Sequence, residues 1–385
     1  MTEPLLLRGG RLFDGTAFLG VGDVLLADGV IAAVGGVLEA PSGATVLNCH
    51  GTTVMPGLVD AHVHLAWAGL EPPPSSVAES TARALRNADQ LIAAGVTTVR
   101  DTGGPLAVLT EVRRRLPSGP SLLLSGEILC APGGHGTEIP LAVPIARECV
   151  GPDGFTAAVR EHLSAGADLV KVSLNGAAGS LQVTDEELTA VVEAAHGSGA
   201  RVAAHASVAV AVAQAVRCGV DTIEHGNGLD DEQAALMLLR GTALVPTVAI
   251  FEELRSQLAG SDSHLPEELL HQHRCAVEHR LSDHRTALAA ARGARVRLAF
   301  GTDRVPDGEV VAVSAEAAAL ARHGFSADEV LRAATTGSCA ALGLSDRGAL
   351  RPGLRGDVVA FEGDLEADLE GLKHPRIVVL AGLVK

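Results

Sequence analysis

The chain has 385 residues, a net charge of −16 and a mean hydropathy of +0.27. A chain this acidic repels phosphate backbones, so a nucleic-acid partner is not expected. No apolar run reaches the roughly 18–20 residues that span a bilayer, and the first residues lack the basic and apolar regions of a signal peptide. The six cysteines form no C-x-x-C pair, so we expect reduced thiols in a cytoplasmic protein.

Short apolar runs separated by turns characterise both ends of the chain. Asp14-Gly15 and Asp28-Gly29 are hairpin-type dipeptides between the apolar runs of the N-terminal region. The C-terminal residues likewise alternate short apolar runs with turn residues. We therefore predict a small β-sandwich that combines residues 1–56 with 347–385, and a larger domain formed by residues 57–346.

Between the two ends, short apolar runs alternate with helical stretches. The runs are almost continuously hydrophobic, as expected for parallel strands that are buried on both faces. With aromatic residues at 2%, Val, Leu, Ala and Ile must fill the core, as they do in barrel interiors. We predict an α/β fold, a (β/α)8 or TIM barrel. Its eight strands are expected at 54–60, 96–101, 121–129, 168–174, 201–206, 221–226, 243–248 and 297–303.

Polar residues capable of binding a metal lie in or directly after five of these runs. Residues i and i+2 of a strand point to one face, so His62 and His64 can bind one ion together. The carboxyl ends of barrel strands converge on one small volume. Imidazole nitrogens and carboxylate oxygens are ligands of Zn²⁺ and related ions. The sequence thus predicts a metal site from His62, His64, His205, His225 and Asp303, and it places Lys171 of the fourth run near that site.

These motifs, taken in order, resemble the amidohydrolase superfamily. They are PGLVDAHVHL with its His-x-His pair, Lys171 in DLVKVSL, His205 in AAHA, His225 in TIEHG and Asp303 in GTD. The TIEHG and GTD segments look most like the branch related to imidazolonepropionase, which includes Xaa-Pro and Xaa-Arg dipeptidases. The resemblance extends over nearly the whole chain, including the split β-sandwich.

The resemblance implies a binuclear zinc centre. His62, His64 and Asp303 would hold the more buried ion, and His205 and His225 the second. Lys171 would bridge the two ions as an N-carboxylated lysine. A carbamate has a physical rationale there, because a plain ammonium group beside two dications would be repelled.

The resemblance also implies how the centre would act. A hydroxide that bridges the metals would be the nucleophile, and Asp303 would carry its proton to the leaving nitrogen. His135, in the glycine-rich loop APGGHGTE, matches a histidine near the substrate carbonyl. We also expect substrate contacts from Asn175, which follows the fourth run, and from Arg304, which follows Asp303 and could pair with a substrate carboxylate.

Some alternatives remain open at this point. Lys171 could be a structural lysine paired with a carboxylate, with a mononuclear site beside it. Arg304 could form a surface pair with Asp307 or Glu309, and His135 could be an exposed loop histidine. The chain has no tyrosine, whereas dipeptidase-like relatives can use one to hold the substrate carboxylate, which puts a strict dipeptidase assignment in doubt.

The expected function is hydrolysis of a C–N amide bond in a small molecule such as an N-acyl amino acid, a dipeptide or a cyclic amide. A mononuclear deaminase or imidazolone-type ring opener is the alternative among enzymes. A non-catalytic scaffold of the same fold is the alternative from another class. We expect no membrane partner, and a homo-oligomer, because soluble oligomers are commonly symmetric assemblies of identical chains.

Overall fold

A computed structural model describes residues 3–66, 74–137, 143–176, 179–259, 267–303 and 311–385. Arg304 lies outside these residues. Within them, no helix combines the length and the apolar composition needed to cross a bilayer. The described residues form an antiparallel-rich sheet from the two chain ends and a ring of parallel strands surrounded by helices.

The strands of the composite sheet lie at the two ends of the chain, and the barrel strands lie between them in the sequence. In chain order they are β1 Leu5–Phe13, β2 Phe18–Ala27, β3 Val30–Gly35, β4 Thr45–Asn48, β5 Thr52–Pro56, β6 Leu58–Val63, β7 Val96–Asp101, β8 Ser121–Leu124, β9 Ile128–Cys130, β10 Ala146–Glu148, β11 Leu169–Ser173, β12 Arg201–Ala206, β13 Thr222–His225, β14 Ala243–Val245, β15 Val358–Glu362, β16 Pro375–Leu380 and β17 Leu383–Val384.

The helices alternate with the barrel strands. Helix α4 begins at a capping box, in which Thr184 and Glu187 each bond the other's backbone N–H. The described helices are α1 Val77–Ala93, α2 Leu106–Arg115, α3 Gly151–Ser164, α4 Asp185–Gly197, α5 Ala209–Cys218, α6 Asp231–Arg240, α7 Val248–Ala259, α8 Glu267–Gly293, α9 Val311–Arg322, α10 Ala327–Arg332 and α11 Ser338–Leu342, with a π-helical turn at Ala333–Gly337 and a 3₁₀ turn at Leu369–Lys373.

The two chain ends meet in one eight-stranded sheet. Its order is β17-β16-β15-β5-β1-β2-β3, with β4 beside β1. The antiparallel pairing of β5 with β15 places Val54 opposite Ala360 and so joins the N-terminal and C-terminal parts. The predicted hairpin turn at Asp28-Gly29 connects β2 to β3, and both residues have a positive φ. This sheet forms the sandwich part of the fold, while the domain boundaries at 56 and 347 stay a prediction.

The barrel closes through backbone hydrogen bonds between its first and last strand segments. Parallel pairing runs through β6, β7 and β8, and through β9, β11, β12, β13 and β14. Asp168 N–H donates to Leu124 O at 2.8 Å and connects the two groups. On the other side, Ala299 N–H donates to Leu244 O at 2.9 Å, and Ala61 N–H donates to Phe300 O at 2.7 Å. This ring is the predicted TIM barrel.

Three predicted strands differ in detail. The run 54–60 contains the end of β5 and the start of β6, which separate at Gly57, where any side chain would collide with Thr97. The run 121–129 breaks between β8 and β9, because Gly126 turns the chain with a φ of +74°. The eighth run, 297–303, forms no extended strand: its β-pairing is a single parallel bridge between Leu298 and Leu244.

Candidate active site

The predicted metal ligands come together at the carboxyl ends of the barrel strands. His62 lies in β6 and His64 directly follows it, His205 lies in β12, and His225 is the last residue of β13. All four side chains are buried. The carboxyl ends of barrel strands converge, so four histidines from three strands that are distant in the sequence lie in one small volume.

His62, His64 and Asp303 form the tightest group. Their ligand atoms all lie within 4.8 Å of one another. Asp303 Oδ1 is 3.3 Å from His62 Nε2 and 3.4 Å from His64 Nε2. Two imidazole nitrogens and one carboxylate oxygen in this arrangement suit a divalent cation such as Zn²⁺.

A second layer of contacts sets which nitrogen each imidazole presents. His62 Nδ1 lies 2.6 Å from Glu224 Oε2, and His64 Nδ1 lies 2.8 Å from the carbonyl oxygen of Gly103. Each Nδ1–H can donate to its oxygen, so that Nε2 faces Asp303 and can either bind a metal ion or, when protonated, donate a hydrogen bond to that carboxylate. The donor chemistry of the site therefore fits a bound metal.

Three histidine rings lie side by side next to this group. The ring centroids of His135 and His205 are 4.6 Å apart and nearly parallel, and those of His205 and His225 are 4.6 Å apart and nearly perpendicular. The ring of His62 lies 5.3 Å from that of His225. The loop histidine His135 is thus placed at the barrel mouth, against a predicted metal ligand.

Burial and neighbouring positive charge keep two of these histidines neutral. Burial lowers the pKa of His205 well below its usual value, and His135 and His225 lower it further. Burial also lowers the pKa of His225, although Asp303 acts in the opposite direction. A neutral imidazole is the form that binds a metal ion.

The carboxylate of Asp303 stays ionised in spite of its surroundings. Burial would raise its pKa, but the charge of His62 and the hydrogen bonds from His62 and His64 hold the pKa well below the ordinary value. An ionised carboxylate can both bind a cation and accept a proton.

Lys171 lies in the middle of β11 with its side chain buried in the barrel. Burial lowers the pKa of Lys171 to about 8, with a smaller contribution from Arg100, while Glu224 and Asp303 oppose the shift. A lysine amine with a lowered pKa is neutral more often than an ordinary lysine, and only the neutral amine is nucleophilic.

Three of the six described non-glycine residues with a positive φ lie at the site. His225, Thr247 and Asp303 have φ values of 70°, 51° and 51°. Residues other than glycine rarely adopt this left-handed region, and each such residue costs on the order of 1–3 kcal/mol. Strain of this kind tends to cluster at active sites, where the surrounding structure enforces it.

Sequence reasoning missed the residues that orient the ligands. Arg100, fully buried in β7, donates to both carboxylate oxygens of Glu224 at 2.8 and 3.0 Å. Thr247 Oγ1 lies 2.7 Å from His225 Nδ1. The only signal in the sequence is the presence of charged residues, among them Arg100 and Glu224, inside the apolar runs VTTVRD and DTIEHG, where an unpaired charge would be costly.

Of the two remaining predicted substrate contacts, Asn175 is among the described residues and Arg304 is not. Asn175 is fully buried; its side chain donates to Ser207 Oγ at 2.9 Å and accepts from Ser207 N–H at 3.0 Å. These bonds join the loops that follow β11 and β12. Arg304 lies outside the described residues, and a substrate-binding role stays a prediction for both.

Comparison with known proteins places this chain in a family. The family model described as "Amidohydrolase family" matches residues 53–384. A Mycobacterium tuberculosis protein described as uncharacterized is 32% identical over 98% of this chain and 95% of its own length. Ochratoxinase from Aspergillus niger is 27% identical over 92% of this chain and 80% of its own length.

A solved structure agrees with the fold. A Xaa-Pro dipeptidase with methionine bound in its active site superposes with a TM-score of 0.89 at 26% identity, over 100% of both chains. The family match covers most of the chain, and the ligand-type residues occupy the strand ends of the same barrel. The chain belongs to the amidohydrolase family.

Proposed function

We propose that this protein hydrolyses a C–N amide bond of a small molecule at a binuclear metal centre. The observation that carries the proposal is the group of His62, His64 and Asp303, whose ligand atoms lie within 4.8 Å of one another at the barrel mouth. The proposed substrates are N-acyl amino acids, dipeptides or cyclic amides. A dipeptidase among the structural relatives supports this class.

The proposed metals are two zinc ions. His62, His64 and Asp303 would hold the first, and His205 and His225 would hold the second. Lys171 would be the ligand shared by the two sites once its neutral amine has added CO₂, a reaction that forms an N–C bond and releases one proton. The buried position of Lys171 and its lowered pKa support this assignment.

The chemistry is shared between the cations and the side chains. When bound, divalent cations lower the pKa of water to about 7 and polarise a carbonyl group. Asp303 accepts the proton of the attacking water and passes it to the departing nitrogen. His135, which stacks on His205, donates a hydrogen bond to the substrate carbonyl oxygen.

Two other functions remain as alternatives. A mononuclear deaminase or ring-opening hydrolase needs only the first group of ligands, and the buried Lys171 in β11 argues against it. A non-catalytic scaffold does not need six ligand-type residues at one place. Assembly as a homo-oligomer in the cytoplasm, and substrate contacts from Asn175 and Arg304, are further parts of the proposal.

The test is metal content with and without the bridging lysine. The protein is purified from medium supplemented with zinc and bicarbonate, beside Lys171→Ala and a control, Lys373→Ala, whose side chain is partly exposed in a 3₁₀ turn. We expect about two metals per chain in the parent and the control, and a sharp loss in Lys171→Ala. Chelation should abolish hydrolysis of N-acyl amino acids and dipeptides, and zinc should restore it.

The outcomes separate the three functions. One metal per chain in all three proteins would make Lys171 structural and favour a mononuclear enzyme. An absence of stoichiometric metal under conditions that retain it in other metalloenzymes would favour the scaffold. Two metals without amide hydrolysis would leave the centre intact and reject the substrate class.

A further inference from the structure

The positively charged side chain of Arg280 lies near the histidines at the barrel mouth. Arg280 lies on α8, and its guanidinium carbon is 5.6 Å from the centre of the Phe251 ring. That ring packs perpendicular to His225 at 6.0 Å. Arg280 is also close enough to His205 that its charge lowers the pKa of that histidine. The guanidinium therefore lies near both predicted ligands of the second metal.

The backbone at Arg280 is fixed to the loop that carries His225. The Asn227 side chain, two residues beyond His225, donates to the carbonyl oxygen of Arg280 at 3.0 Å. Asn227 is fully buried. This contact holds α8 against the strand end, so that the position of Arg280 is determined by the same loop that positions a predicted ligand.

Arg280 has no anionic partner among the described residues. None of their carboxylates lies within ion-pair distance of its guanidinium, and burial is the sole cause that lowers its pKa. Arg100, the other arginine in this region, is by contrast paired with both oxygens of Glu224. The contact with the Phe251 ring compensates the lost hydration of this guanidinium only in part, and no anion completes it, as is expected of a group whose partner arrives with the ligand.

We infer that Arg280 binds the carboxylate of the substrate, and that the preferred substrates are N-acylated amino acids or dipeptides with a free α-carboxylate. This inference rests on the proposed amide hydrolysis. In such compounds the carboxylate carbon is two bonds from the scissile nitrogen, so the anion lies next to the bond that the metals and Asp303 attack. Guanidinium groups match carboxylates with two parallel hydrogen bonds.

Tyrosine and lysine offer little alternative for this purpose. It contains no tyrosine and only three lysines, and the two besides Lys171 are Lys373 and Lys385, near the C-terminus. Lys373 pairs with Glu370. A neutral amide or a lactam would leave Arg280 without a counter-ion, so the arginine selects against cyclic amides and for anionic linear substrates.

The test compares an acid with its amide at the same scissile bond. Hydrolysis of N-acetyl-L-leucine and N-acetyl-L-leucinamide is measured with the zinc-loaded parent, Arg280→Met and Arg280→Lys. Arg285→Met, an exposed arginine on the same helix, is the matched control, and Arg304→Met tests the other candidate. Binding of both compounds is measured by calorimetry in every protein.

We expect the parent and Arg285→Met to prefer the acid. Arg280→Met should lose about 10- to 100-fold in kcat/KM for the acid, mainly through KM, and should keep its activity on the amide. Arg280→Lys should recover part of the loss. Equal losses on both compounds, or a preference that Arg304→Met removes and Arg280→Met leaves intact, would overturn the assignment.

The two proposals fail in different ways. If the parent binds the acid more tightly than the amide through Arg280 but hydrolyses neither, the carboxylate site stands and the amide-hydrolase proposal falls. If the parent hydrolyses both compounds alike and Arg280→Met changes nothing, the hydrolase stands and the carboxylate site falls.

Discussion

His62 Nδ1 lies 2.6 Å from a carboxylate oxygen of Glu224, a residue 162 positions away in the chain. Both side chains are buried inside the barrel, and Arg100 donates to the other side of the same carboxylate. The carboxylate of Glu224 thus orients the ring of His62, a predicted metal ligand, and the guanidinium of Arg100 holds that carboxylate in place. We therefore expect metal binding and barrel stability to be coupled through Glu224.

Replacement of Glu224 by Gln should weaken metal binding and destabilise the fold. His62 loses an anionic acceptor, so zinc affinity should fall about 10- to 100-fold. Arg100 is left buried without an anion, which typically costs about 3–5 kcal/mol. Chelator competition and thermal unfolding measure the two effects. Glu193→Gln, on the exposed face of α4, should change neither; an unaltered zinc affinity in Glu224→Gln would contradict the coupling.

Replacement of Thr247 by Val should affect the second metal more than the first. The change removes the hydroxyl 2.7 Å from His225 Nδ1 and leaves that buried nitrogen unpaired, which costs about 1–3 kcal/mol. We expect roughly tenfold weaker binding of one zinc ion out of two, seen as a biphasic titration. Thr110→Val, on helix α2, is the control. Equal weakening of both ions would argue against separate sites.

Formation of the proposed carbamate should depend on pH through Lys171. Burial lowers the pKa of this amine to about 8, and the neutral form that adds CO₂ predominates above that pKa. In protein freed of metal and CO₂, reactivation by zinc at a fixed concentration of dissolved CO₂ should therefore accelerate as the pH rises from 7 to 9, with a midpoint near 8. A midpoint near the ordinary lysine pKa of about 10.4 would contradict the effect of burial.

Replacement of Asp303 by Asn should nearly abolish hydrolysis. The amide cannot accept a proton, and general acid–base catalysis contributes about 10²- to 10⁴-fold. We expect kcat to fall by at least this factor even at saturating zinc, because a ligand to the first metal is weakened as well. Steady-state kinetics with metal analysis measure both. Asp153→Asn, at an exposed position in α3, should retain full activity, and a kcat near that of the parent in Asp303→Asn would exclude Asp303 as the proton carrier.

Much of the fold, and the strand ends at which the predicted metal ligands lie, could be predicted because the evidence for them is local. Continuous apolar runs identify buried parallel strands, and the i, i+2 spacing of His62 and His64 places them on one face. Strand ends were less predictable: the breaks at Gly57 and Gly126 depend on contacts and backbone angles that an apolar run does not reveal. The domain boundaries and the roles of the site residues stay predictions.

The sequence by itself determined the family, the barrel and the residue types available to a metal, since these follow from short motifs and the periodicity of apolar residues. Only the tertiary structure decided that Glu224 and Arg100 orient His62, that Thr247 contacts His225, and that Arg280 stands beside them without a carboxylate among the described residues. Such pairings join residues far apart in the chain, and their energies depend on distance and burial, which exist only once the barrel has closed.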